Sequence, residues 1–143
     1  MSDAIDIDLS WGGYYASTNA EDGGKVTVFR LLDFNTDAYQ AALFTEEFAS
    51  MPTLEEVADL SPFIGHVPID ARALLQNRDL RLLGSRPLSR DDLVGYAYYL
   101  EDHGMTPEEI RSLQDDILQF TQQPPLRLRL ELANDELVVS ERK

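Results

Sequence analysis

Apolar and polar positions alternate strictly near the start of the chain, where Ile5, Ile7, Leu9 and Trp11 interleave with Asp6, Asp8 and Ser10. A period of two puts the two sets on opposite faces of an extended backbone, so the segment predicts a half-buried strand. Gly12-Gly13 marks a bulge or bend, after which "YYAS" continues the strand. "NAEDGG" is turn material and "KVTVFRLLD" is β-branched and apolar, which predicts an N-terminal β-hairpin over residues 4–33.

The period then lengthens. Asn35 or Thr36 can cap "DAYQAALFTEEF", predicting a helix over 37–48. Thr53 opens a Thr-x-x-Glu capping box ahead of a short helix that stops before Pro62. In "LSPFIGHVPIDAR" (60–72), two prolines and Gly65 predict a fixed, non-helical connection, ending where Asp70 caps a helix over "ARALLQ". "DLRLLGS" is short enough for a strand. Ser89 and Asp92 form a capping box for a helix that Gly104 ends, and Thr106, Pro107 and Glu109 start another with Ile110, Leu113 and Ile117 on one face.

At the C-terminal end, an Asn134-Asp135 turn pairs Leu132 with Leu137 and Leu130 with Val139 on one face, and Glu131 with Val138 on the other. The predicted fold is therefore α+β, with N- and C-terminal β-hairpins forming an antiparallel sheet packed by about four helices. A single domain spans 1–143, with no internal repeat, low-complexity tract or linker.

Composition adds limits. A chain of 143 residues with 43% hydrophobic residues can bury a core without staples, and the absence of cysteine removes disulfides and thiolate chemistry. "MSDAIDIDLS" has neither the basic start nor the apolar run of a signal peptide. No stretch reaches the roughly 20 apolar residues of a membrane span, so a cytoplasmic protein is expected.

Charge changes the picture more. The net charge of −14 opposes binding to nucleic acid or an anionic membrane and suits a basic protein partner. Acidity that serves only solubility is the plain alternative. Residues 1–71 carry 13 acids against Lys25 and Arg30, whereas residues 72–143 carry 13 acids and 10 bases. Arg72, Arg78, Arg81, Arg86 and Arg90 are opposed locally only by Asp79. Such guanidiniums clamp phosphates or carboxylates when they converge, with Arg72, Arg78 and Arg81 the candidates; neutralisation by the acidic half competes with that role.

Candidate catalytic and metal chemistry is thin. His66 and Asp70 would make a base and its orienting acid, joined by Arg72 or Arg30, only if the backbone between them were helical, which Pro68 opposes. His66 is expected to bond a loop carbonyl, and His103 to sit at a helix C-terminus where the dipole favours it. "DFNTDA" opens like a calcium loop, but Ala38 and Phe44 occupy the glycine and glutamate positions. No metal set, cofactor loop or catalytic residue emerges, and no cofactor is expected.

The expected function is a non-enzymatic acidic protein-binding module, most concretely an immunity or inhibitor protein that neutralises a basic toxin. Its binding candidates are Glu46, Glu47, Glu55, Glu56 and Asp59, with Tyr98 and Tyr99 as aromatic anchors. Tyr96 shares the face of Leu93 and belongs to the core. Three other classes stay open: an acidic secretion-type chaperone, an enzyme using His66 and Asp70, and a phage-type structural subunit.

Overall fold

The computed structural model describes residues 4–19, 23–76 and 79–142. Its strands are β1 (Ala4–Leu9), β2 (Gly13–Asn19), β3 (Lys25–Phe34), β4 (Ala38–Leu43), β5 (Ile64–Asp70), β6 (Arg81–Ser85), β7 (Leu126–Ala133) and β8 (Glu136–Glu141). Its helices are α1 (Leu54–Ala58), α2 (Val94–Asp102) and α3 (Pro107–Phe120), with 3-10 turns at Ala71–Gln76 and Asp91–Leu93.

The strands form two antiparallel sheets, β1-β7-β8 and β5-β4-β3-β2-β6. Ile7, Leu9, Leu128 and Leu130 of the first pack against Tyr15, Leu31, Tyr39 and Ala41 of the second. The opposite face of the larger sheet carries the helices: Leu32 and Ala42 meet Leu93, Tyr96 and Ile117, while Tyr14, Ala16, Val26 and Val28 meet Val57. The molecule has three layers, and the five-stranded sheet is the middle one.

That architecture corrects the expectation of one sheet packed by about four helices. Two sheets and only three short helices are present among the described residues. The expected helix over 37–48 is strand β4, which pairs with β3 on one side and β5 on the other. Tyr39, Gln40, Ala41 and Ala42 are consecutive and all buried, because a strand covered on both faces needs no alternation. A continuous apolar run does not distinguish such a strand from a buried helix.

The expected 4–33 hairpin is divided. Strands β2 and β3 do pair, but β1 joins β7 in the other sheet. The chain crosses between sheets at Gly12 (φ +83°), where a Cβ would lie 2.3 Å from the Arg86 carbonyl oxygen. Only glycine suits that crossing.

The expected rigid connection at 60–72 is edge strand β5, non-helical but hydrogen-bonded to β4. Pro68 stands within it, as an edge strand allows. Asp70 caps a 3-10 turn rather than an α-helix, its Oδ1 accepting from the Arg72 N–H at 2.9 Å.

Other expectations agree with the structure. The Thr53 and Thr106 capping boxes are both closed, β6 is a strand, and the β7–β8 register pairs Leu130 with Val139 and Leu132 with Leu137. Asn134 and Asp135 both have positive φ, as the two-residue turn requires.

Candidate functional site

The two segments that contain the helices gather most of the chain's net charge. Residues 45–60, which include α1, hold five acids and no base; residues 90–120, which include α2 and α3, hold eight acids and two bases. Together they account for −11 of the net −14. Only three ion pairs involve these acids among the described residues: Lys25–Glu47, Arg30–Asp92 and Arg90–Asp115. The other ten acids have no cationic partner there.

In the outer sheet two of the acids are paired, while Glu131, Glu136 and Glu141 have no cationic partner among the described residues. Asp6 faces Arg129 across the β1–β7 ladder, and Arg142 reaches Asp8 at 2.7 Å. Arg72 is held by Asp70 at 2.7 Å, and this pairing keeps the Asp70 carboxyl at about 2, well below its ordinary value.

Two depressions mark the helical layer. The first, about 280 Å³, lies between α1 and the start of α2 and is lined by Tyr14, Arg30, Phe44, Leu60, Asp91 and Asp92 among others. Arg30 forms its floor. Its Nε donates to the Gly12 carbonyl, its Nη2 to the Arg86 and Pro87 carbonyls, and its Nη1 lies 3.4 Å from Asp92 Oδ1. The guanidinium also stands over the Tyr14 ring, 4.9 Å from its centroid. A cation so engaged clasps the 86–92 loop to the middle sheet.

The second depression is a groove of about 390 Å³ between α2 and α3. Val94, Ala97, Tyr98, Pro107 and Ile110 give it apolar walls, and Glu101, Arg90, Arg111 and Gln114 line it as well. Tyr98 is 66% exposed and Val94 43%.

Beneath α2 runs a buried polar network. The bulge in β3 turns Leu32 and Asp33 both toward the helices. Asp33 Oδ1 accepts from Trp11 Nε1 at 3.0 Å and from the Phe34 N–H at 2.9 Å, and its Oδ2 accepts from the Tyr96 hydroxyl at 2.9 Å. Burial and the neighbouring Asp33 carboxylate raise the Tyr96 pKa, so the phenol stays protonated and donates. His66 Nε2 donates to Gln40 Oε1 at 2.6 Å, and its ring stacks on Tyr96 and meets Tyr99. Burial lowers the His66 pKa.

The candidate residues fall into place unequally. Glu47, Glu55, Glu56 and Asp59 are exposed and Glu46 is half-buried; Glu55, Glu56 and Asp59 lie in or beside α1, whereas Glu46 and Glu47 precede Phe48, which bridges to Val26 of β3. Glu56 also closes the α1 capping box. Tyr98 is free, whereas Tyr99 is half-buried between His66 and His103 and is not a free anchor.

Among the described residues the candidate arginines are not brought together. Arg72 and Arg81 line different clefts, and Arg78 lies outside the described residues. His66 bonds a side-chain amide rather than a loop carbonyl. It does not meet Asp70, since four residues of strand separate their backbones by about 13 Å. No group of three His, Cys, Asp or Glu residues suited to a metal occurs among the described residues. No helix there is long and apolar enough to cross a membrane.

Sequence reading missed the roles of Asp33, Gln40 and Trp11. The one local signal was an acid placed inside the apolar run "LLDF". The chain matches no family model, no curated protein and no solved structure.

Proposed function

We propose that this protein is a non-enzymatic binding module that engages a basic protein through its helical layer. One observation carries the reading: 13 acids are gathered in residues 45–60 and 90–120, and ten of them have no cationic partner among the described residues. Clustered like charge raises the energy of the free protein and is relieved when an opposite surface arrives. It also speeds encounter with that surface and selects against acidic competitors. A partner with a basic cleft, such as a nuclease toxin, is the most concrete candidate, which makes the module an immunity-type inhibitor acting in the cytoplasm.

Capture from native lysate tests this with the wild type and with a variant combining Glu55→Gln, Asp59→Asn, Glu101→Gln and Asp102→Asn. A basic protein retained by the wild type, lost from the variant and released by moderate salt is expected. Equal retention by both proteins, or retention indifferent to salt, overturns the reading.

A further inference from the structure

We infer that the free edge of β8 accepts an extended, basic segment of a partner protein, which adds to the outer sheet as a further strand. This surface lies apart from the helical layer invoked above. β8 ends the order β1-β7-β8, so one of its edges has no strand beside it. The turn at Asn134-Asp135 makes Ala133 and Glu136 a hydrogen-bonded pair, and at the other end the Arg142 N–H donates to the Arg127 carbonyl at 2.8 Å. Main-chain groups alternate in direction along a strand, so those of Glu136, Val138 and Ser140 face β7. Those of Leu137, Val139 and Glu141 face outward and have no partner among the described residues. Unpaired amides and carbonyls at strand spacing are met by another extended backbone, whereas a helix satisfies its own.

The other edges each carry a feature that hinders strand addition. Pro68 stands in β5, β6 is bulged against β2, and the outward Asp8 carbonyl of β1 already accepts from the Tyr15 hydroxyl at 2.6 Å. β8 has neither proline nor bulge, and its register with β7 runs unbroken from Glu136 to Glu141. Val138, at its middle, is 47% exposed.

Charge at this edge selects the sign of the segment. Glu131 lies across from Val138, and Asp135 and Glu136 begin a depression of about 450 Å³ that Asp37, Asp70 and Arg72 also line. Five acids there meet one base, and Arg72 is held by Asp70. The far end is mixed: Glu141 stands near Arg127 and Arg142, and Arg142 is drawn across to Asp6 and Asp8. In antiparallel addition, visiting residues opposite Leu137 and Val139 make the main-chain bonds and lie over the half-buried inner face, which suits apolar side chains. Lysines or arginines on the alternate positions lie beside Glu131 and Glu136. A second copy paired about Val139 would set Glu136 against an arginine already engaged by Asp6 and Asp8, and would add another −14.

A peptide alternating valine and lysine is the probe. Its relatives carry glutamate for lysine, N-methyl groups on the valine amides, or N-methyl groups on the lysine amides. Affinity is read by fluorescence anisotropy and location by amide hydrogen exchange on the full chain. The valine/lysine peptide is expected to bind and to slow exchange at Leu137, Val139 and Glu141. Methylating the valine amides, which point at β8, should weaken binding at least about tenfold; methylating the lysine amides, which point away, should not. The glutamate peptide should not bind. The double variant Glu136→Lys, Val138→Lys, which alters exposed side chains alone, should bind the valine/lysine peptide at least about tenfold more weakly while keeping a cooperative thermal transition.

Equal affinity of the two methylated peptides overturns strand addition, and equal affinity of the lysine and glutamate peptides overturns the basic occupant. Protection centred elsewhere, or undiminished binding by the double variant, overturns β8 as the place. A dimer in sedimentation that the double variant abolishes replaces the partner with a second copy. Failure of every peptide to bind overturns the site and leaves the reading of residues 45–60 and 90–120 standing, since the variant that tests that reading leaves β8 unaltered.

Discussion

Asp33 is 7% exposed, and no cation pairs with it among the described residues. It remains tolerable because three donors converge on its two oxygens. Removing the carboxylate leaves Trp11 Nε1 and the Tyr96 hydroxyl without their acceptor. Asp33→Ala is therefore expected to cost about 3 kcal/mol, and Asp33→Asn less, by denaturant unfolding. An unchanged midpoint for Asp33→Ala would show that the network adds nothing.

His66 makes a second residue-scale prediction. Its pKa is lowered in the folded protein, so the native state favours the neutral ring. That contribution is present above the ordinary value of 6.5 and is lost as pH falls toward the lowered value. The wild type should lose more thermal stability between neutral and mildly acid pH than His66→Gln does. Parallel pH profiles would rule the coupling out. Neither role was legible in the chain, because each depends on a partner far along it: Asp33 meets Tyr96 and His66 meets Gln40 only after the strands align.

Elements show a clearer division. Helix starts were readable, since a capping box is a contact across three residues; both Thr53 and Thr106 close as the local pattern implies. Thr106→Ala should lower stability by about 1 kcal/mol in thermal or denaturant unfolding, and a change near zero would show the box to be idle. The β7–β8 hairpin was equally legible, because a two-residue turn sets its own register.

Strand β4 was not legible. "DAYQAALFTEEF" has helical formers and a capping residue, yet its neighbours on both edges and both faces outweigh local propensity. Gly12 gave only half a signal. A bend was readable from the glycine pair, but not that the bend carries the chain from one sheet to another. Gly12→Ala should destabilise strongly, since a Cβ would meet backbone at 2.3 Å with φ at +83°.

At the scale of the molecule, residues 45–60 and 90–120 carry −11 of the net −14. The outer sheet pairs Asp6 and Asp8 with Arg129 and Arg142 and leaves Glu131, Glu136 and Glu141 unmatched among the described residues, and ten of the 13 acids in residues 45–60 and 90–120 are unmatched there too. Crowded like charges strain the free protein, and added salt relieves them. The midpoint of thermal unfolding should rise with sodium chloride, and less so in the variant carrying Glu55→Gln, Asp59→Asn, Glu101→Gln and Asp102→Asn. A midpoint indifferent to salt in the wild type would mean that the acids are too dispersed to act together.

Net charge, the acid-rich stretches, the capping boxes and the C-terminal hairpin could all be known from the order of residues, because each depends on composition or on neighbours a few positions apart. The separation of β1 from β2, the strand at 38–43 and the network around Asp33 could not. Each arises from contacts between segments distant in the chain, where pairing on both edges and burial on both faces override what any short stretch prefers. "LSPFIGHVPIDAR" shows both sides. Its prolines forbid a helix locally, but only packing against β4 and α2 makes it an edge strand and gives His66 its partners.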